Sequence, residues 1–173
     1  MKQLNILKVI FGLIFMFTCA FANAHGAPTI VLDTTNLALQ INGKVVDKTK
    51  IQDILAAIHH DSRKIEKPNK VIYVFDDFGF TIEEDSKGIA FKLFYAVSEK
   101  ESDPKSAFAG KFSINTTEVI PSLSLEAILK QIPKTEKTLS MPNMLMIMGK
   151  SMIVSVESNK GIIKEFDFGF IKN

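Results

Sequence analysis

Asp76 and Asp77 are the first residues in this chain whose type and spacing could do chemistry. They sit at a predicted turn inside Val74-Phe-Asp-Asp-Phe-Gly79. Paired carboxylates can relay protons or hold a cation. Aspartate also forms turns, and Gly79 follows two residues on, so a turn accounts for both acids without any reaction. Glu83-Glu84-Asp85 leads into Lys87-Gly88 and reads as a solvated hairpin tip. Its spacing is not that of a calcium loop. An acidic site made of Asp76, Asp77 and Glu83 is the one enzymatic reading left.

His59-His60 ends a predicted helix, where a cation complements the helix dipole. Adjacent histidines point in different directions, and no H-E-x-x-H pattern is present, so no zinc site is predicted. Position 60 faces away from the helix's apolar stripe and is expected at the surface. His25 would become the first residue after processing, and its α-amine and imidazole could chelate copper. Such a site needs a second histidine and an aromatic face, whereas the chain has no Trp and two Tyr. The single cysteine is Cys19, and no G-x-S-x-G or glycine-rich phosphate loop occurs. Nucleophilic and nucleotide chemistry therefore lack their parts. The chain is read as a non-enzyme with no cofactor.

Met141, Met144, Met146 and Met148 crowd into one short stretch. A buried strand explains them simply. An adaptable apolar contact surface is the functional reading, because thioether side chains repack easily. Met144, Met146 and Met148 also alternate, as thioether ligation of a soft metal from one face would need.

The elements that must position these residues begin after a leader. Lys2 and Lys8 precede an apolar run over residues 9–21, and Ala22-Asn23-Ala24 gives the small-x-small pattern of a cleavage site. The run is too short for a comfortable membrane span. Cleavage after Ala24 is expected, with a periplasmic or secreted destination and no stable membrane insertion afterwards. Met16-Phe17-Thr18 before Cys19 is too bulky for a lipoprotein signal. Losing Lys2 and Lys8 takes the 21 basic residues to 19, equal to the 19 acidic ones. A neutral chain has no global field for nucleic acid. With Cys19 gone as well, no internal disulfide can form.

The remaining chain reads as a tandem repeat. Ile41-Asn42 matches Ile114-Asn115 at an offset of 73, and Ile51, Ile54, Leu55 and Ile58 match Leu125, Ile128, Leu129 and Ile132 at 74. Pro68-Asn69 matches Pro142-Asn143, and Lys87-Gly-Ile89 matches Lys160-Gly-Ile162. Each copy is predicted as β-α-β-β-β, over 37–97 and 112–170, with an N-terminal segment at 25–36 and a linker at 98–111. Asn42-Gly43 signals a hairpin. The helices carry apolar residues at i, i+3, i+4 and i+7, with Thr49 and Ser122 or Ser124 as candidate N-caps. Charged linkers are predicted at 61–70 and 134–140. The predicted fold class is α+β, a duplication in which each short helix covers a three- or four-stranded antiparallel sheet. Lys92 and Phe94 fall on the sheet face opposite Phe91, Leu93 and Tyr95, so that second face carries apolar groups too.

The stretch from Ile51 to Tyr95, with Val71-Ile-Tyr-Val-Phe-Asp-Asp-Phe-Gly-Phe80 at its centre, resembles an uncharacterised family of exported bacterial proteins. Its members carry V-Y-V-[WF]-D-D-x-G-[IF] after a short helix, and Phe75 stands here where Trp is more usual. The tandem plan is similar to that of the β-lactamase inhibitor protein, which lacks a counterpart here for its two-cysteine hairpin and aromatic face. That likeness implies binding of another protein through a sheet face and loops. Tyr73, Phe75, Asp76, Asp77, Phe78 and Phe94 are the candidate interaction positions. The expected function is an exported protein-binding module, of the immunity or inhibitor kind, whose partner is another exported protein. A periplasmic carrier of a small ligand or metal is the alternative, and oligomeric state stays open.

Overall fold

A computed structural model describes residues 26–133 and 137–172. The expected leader, with Cys19, and His25 lie outside the described residues. Thirteen strands and two helices follow in chain order among the described residues: β1 (Thr29–Asp33), β2 (Ala38–Ile41), β3 (Lys44–Val46), α1 (Ile51–Ile58), β4 (Arg63–Lys67), β5 (Lys70–Phe75), β6 (Phe80–Asp85), β7 (Gly88–Phe94), β8 (Lys111–Ile114), β9 (Thr117–Glu118), α2 (Leu125–Leu129), β10 (Lys137–Met141), β11 (Met144–Met148), β12 (Met152–Asn159) and β13 (Ile162–Ile171).

The expected α+β architecture of two helix-on-sheet units is overturned. Strands take 49% of the described residues and helix 9%. They form a five-stranded sheet in the order β3-β2-β1-β8-β9 and an eight-stranded sheet in the order β10-β11-β12-β13-β7-β6-β5-β4. The reason lies in helix length. Eight residues of α-helix reach about 12 Å, too little to roof four strands set about 4.8 Å apart. The five-stranded sheet supplies the missing cover, and α1 packs on its hairpin β2–β3.

Two local signals held their meaning. Asn42 and Gly43 both have positive φ, at 52° and 78°, as a tight two-residue hairpin turn requires. Asn42 also accepts from Thr29 N at 3.0 Å and donates to Ala57 O at 3.0 Å, tying the turn to β1 and to α1. Asn115, 73 residues later, has φ 54° and donates to Gln131 O at 2.9 Å beyond α2. Each asparagine thus fastens a hairpin to the helix that follows it. Ser124 caps α2, its hydroxyl accepting from Ala127 N at 3.2 Å. Thr49 does not cap α1: Lys50 occupies the N-cap with no side-chain bond.

β1 lies in the N-terminal segment over 25–36, for which no strand was predicted, yet it is the centre of the smaller sheet. It runs antiparallel to β2 and parallel to β8, with Ile30 opposite Phe112. The larger sheet is two antiparallel meanders, β4–β7 and β10–β13, joined where β7 pairs β13. The segments expected as charged linkers supply its outermost strands, β4 and β10. Both sheets share one core. Phe112 of β8 stacks on Phe168 of β13 at 5.2 Å and meets Phe166 edge-on at 4.8 Å. Phe91 stacks on Phe168 at 4.8 Å across the β7–β13 seam. No helix of the described residues is long and apolar enough to cross a membrane.

Candidate interaction surface on the eight-stranded sheet

Alternation along each strand divides the larger sheet into a buried face and an open one. In β11, Leu145 and Ile147 turn into the core while Met144, Met146 and Met148 turn outward. The methionine run is therefore not the buried strand expected for it: ordinary aliphatics fill the core, and the thioethers line the outside. Register carries this pattern across neighbouring strands. Met141 lies opposite Met144, Leu139 opposite Met146, and Ile153 opposite Met148. Leu139, Met141, Met148 and Ile153 are 46, 43, 42 and 40% exposed, an apolar strip facing solvent.

The strip continues into a depression. Ile153 pairs with Gly169, which pairs with Ala90. These two small residues leave a hollow of about 200 Å³, rimmed by Glu83, Asp85, Lys87 and Ile171. A Cβ at position 169 would lie 3.1 Å from the Ala90 Cβ, so a larger residue there would begin to fill it.

Beside the hollow is a charged centre. Lys92 bonds Glu165 at 2.8 Å and lies 3.8 Å from Asp167. Burial alone would lower the Lys92 pKa, but the Glu165 hydrogen bond and the nearby carboxylates outweigh it and raise it. Asp167 is pushed up from 3.8 to about 7, chiefly by burial. Lys92 opposes that rise, and Glu165, Glu83 and Glu157 add to it. The Asp167 side chain is 36% exposed as a whole. Its Oδ1, however, is fully shielded and has no hydrogen-bond partner among the described residues. Lys70 and Glu83 form a further pair at 2.5 Å.

At the other end of the sheet the open face is not open. Ile72, Val74 and Phe94 turn outward by register yet are almost wholly buried, and they stand apart from the main core cluster. The chain between β7 and β8 is anchored there. Arg63 grips Asp76 with two hydrogen bonds, Nε to Oδ2 at 3.0 Å and Nη2 to Oδ1 at 3.1 Å. Arg63 also donates to Glu101 O and Asp103 O. Asp76 in turn accepts from Lys105 N at 3.2 Å, and its carbonyl accepts from Ser106 Oγ. Phe108 N donates to Phe94 O, and Ala109 N to Phe78 O. The Arg63 hydrogen bond and charge hold the Asp76 carboxyl below its ordinary range.

This strap explains the Asp-Asp-Phe-Gly turn. Asp76 is its anchor, and Gly79, at φ 69°, leaves room for the backbone of Ala107 and Phe108, which a Cβ would strike. The other candidate positions serve packing as well. Phe75 is buried and stacks on Phe80 at 4.4 Å, and Tyr73 packs against the core from its margin. Phe78 lies against the ring of His60, centroids 4.4 Å apart, so His60 is half-buried where exposure was expected. Phe94 is buried beneath Lys92, whose Nζ stands 5.5 Å from its ring centroid. Asp77 alone of the six is exposed. Phe75, Asp76, Asp77 and Phe78 line one cavity of about 430 Å³ together with His60, Asp61 and Arg63, and Tyr73 and Phe94 are not in its lining. Glu83 lines the separate hollow at Gly169, so the three acids do not converge. Reading the sequence offered an apolar contact surface for Met141 and Met148 only beside the simpler buried strand, and it missed the outward Leu139 and Ile153. The signal was there in the alternation of Met with Leu and Ile through β11.

Tyr95, just past the end of β7, donates to Val119 O at 2.8 Å, and burial drives its pKa well above the usual value. Among the described residues, no three His, Cys, Asp or Glu side chains gather to hold a metal ion. A family model described as a domain of unknown function, DUF7738, matches residues 31–129, more than half of the chain. That span includes the Asp76–Gly79 turn. No characterised protein and no solved structure matches the chain.

Proposed function

This chain belongs to the DUF7738 family, and we propose that it is an exported protein-binding module. In this reading it is the immunity- or inhibitor-type partner of another exported protein, and it grips through the open half of the larger sheet. One observation carries the reading: Leu139, Met141, Met148 and Ile153 form a contiguous strip of exposed apolar side chains, while Leu145 and Ile147 alongside them are buried in the ordinary way. Exposed apolar strips bordered by charge mark contact surfaces, and methionine adapts its shape to a partner at small cost. Lys92 and its carboxylates supply the polar border, and the hollow at Gly169 accepts one protruding side chain.

The test is affinity capture from the periplasmic fraction of the native host. The unaltered chain is expected to recover one stoichiometric partner, and a Met148→Asp, Ile153→Asp double variant to lose it. Equal recovery by the double variant would end the assignment to this surface. The carrier reading draws on the same thioethers, since Met141 and Met144 lie directly opposite on one face and thioethers favour soft cations. Native mass spectrometry of chain purified from its host separates the readings: a bound metal of defined stoichiometry supports the carrier.

A further inference from the structure

We propose that the free edge of the eight-stranded sheet, β10, pairs with β10 of a second copy of this chain, antiparallel and across a two-fold axis. An edge strand offers a row of unpaired N–H and C=O groups, and proteins guard such edges with charge or cover. The two edges of this sheet are treated differently. β4 carries Arg63, Lys64, Glu66 and Lys67 among its five residues, and Arg63 is tied into the strap. β10 reads Lys-Thr-Leu-Ser-Met, with a single charge, and all five residues are exposed. No described strand lies outside it. On its inner side Thr138 borders a cavity of about 420 Å³ shared with Leu129, Ile132 and Pro133, so α2 does not close the edge either.

Self-complementarity selects the occupant. Antiparallel pairing about Leu139 sets Lys137 opposite Met141 of the second copy, Thr138 opposite Ser140, and Leu139 opposite Leu139. No charge meets its like, hydroxyls face hydroxyls on one side of the sheet, and apolar groups meet on the other; such cross-strand pairs are favourable. The same operation on β4, about Ile65, sets Arg63 opposite Lys67 twice, a repulsion, against Lys64 opposite Glu66 twice, an attraction, and Arg63 is already committed to the strap. β10 carries neither the like-charge pair nor a prior engagement, so the pairing is assigned to it. A contact through five residues is small, so the association falls in the weak, micromolar class. It also joins the methionine strips of two copies into one, although it stands whether or not that strip binds another protein.

Sedimentation velocity of the purified chain from about 1 to 300 µM reads this directly, since that range brackets a micromolar dimer. The unaltered chain is expected to pass from monomer to dimer. Leu139→Lys and Leu139→Glu each place like charges face to face and should weaken association by about ten-fold or more. Mixing the two in equal amounts sets Lys against Glu and should restore it. Val45→Lys, on the exposed edge of the other sheet, should change nothing. A chain that stays monomeric throughout overturns the proposal. So does a dimer indifferent to Leu139→Lys, or a mixture that fails to recover.

Discussion

Removing the Asp76 carboxylate should loosen the strap across the larger sheet, and by an amount the geometry allows one to work out. Asp76 accepts two hydrogen bonds from Arg63 and one from Lys105 N. Hydrogen bonds to charged groups contribute about 1.5–3 kcal/mol when sheltered, whereas fully exposed ion pairs contribute about 0.2–1 kcal/mol. The side chains of Arg63 and Asp76 are 34% and 24% exposed, between those limits. Solvent screening then leaves a coupling of about 1–1.5 kcal/mol between the two residues. Asp76→Ala alone should cost about 2 kcal/mol, because the Lys105 amide also loses its acceptor. The assay is a double-mutant cycle with Arg63→Met, followed by urea unfolding. Trypsin cleavage at Lys100 and Lys105 gives a second, local readout. It should quicken by roughly ten-fold, following the free energy of strap opening. The carboxyl pKa is lowered from 3.8 in the fold, so its stabilisation is present above that value. It should fade as pH falls through the lowered value. A coupling under about 0.3 kcal/mol, or linker cleavage unchanged while stability drops, would refute the strap. A gain in stability in Asp76→Asn would point instead to a strained functional carboxylate.

Phe112→Ala should destabilise by about 3–5 kcal/mol, since that ring bridges the two sheets against Phe166 and Phe168; thermal unfolding by circular dichroism measures it. Gly79→Ala should cost at least about 2 kcal/mol from the left-handed backbone and the collision with the strap, read by urea unfolding. Asp167, with its pKa raised from 3.8 to about 7, favours the fold fully below 3.8, and that contribution is lost as pH climbs through 7. Asp167→Asn should flatten stability over that window, and carbon-detected NMR titration should find the carboxyl changing charge near the top of it.

Local structure was legible in the chain where one residue's chemistry decides it. Asn42-Gly43 specifies a turn that few other pairs allow, and the apolar stripe over residues 51–58 matches α1 from end to end. The strands missed were β1, β4 and β10. β4 is a charged edge with little apolar alternation to betray it, and β10 lacks core-facing residues altogether. Of the second sheet only the β2–β3 hairpin and the strand β8 could be read, and not that they belong to one sheet. It rests on Ile30 meeting Phe112, a pairing between distant segments that no periodicity within either one encodes. Asp76 was legible as a turn residue and not as the anchor of the strap. Its place beside a turn was visible, but Arg63 and the strap reach it from segments that read as linkers.

The parallel pairing of β1 with β8, and the seam of β7 with β13, set a timetable for the chain. As it emerges from its amino end, the first strand has only its hairpin neighbour until residue 111 is out, and the larger sheet has half its width until residue 171. Contacts this remote in sequence form slowly. The meander β4–β7 pairs only near neighbours in sequence and can form first, whereas the seam to β13 and the pairing of β1 with β8 must wait for distant segments.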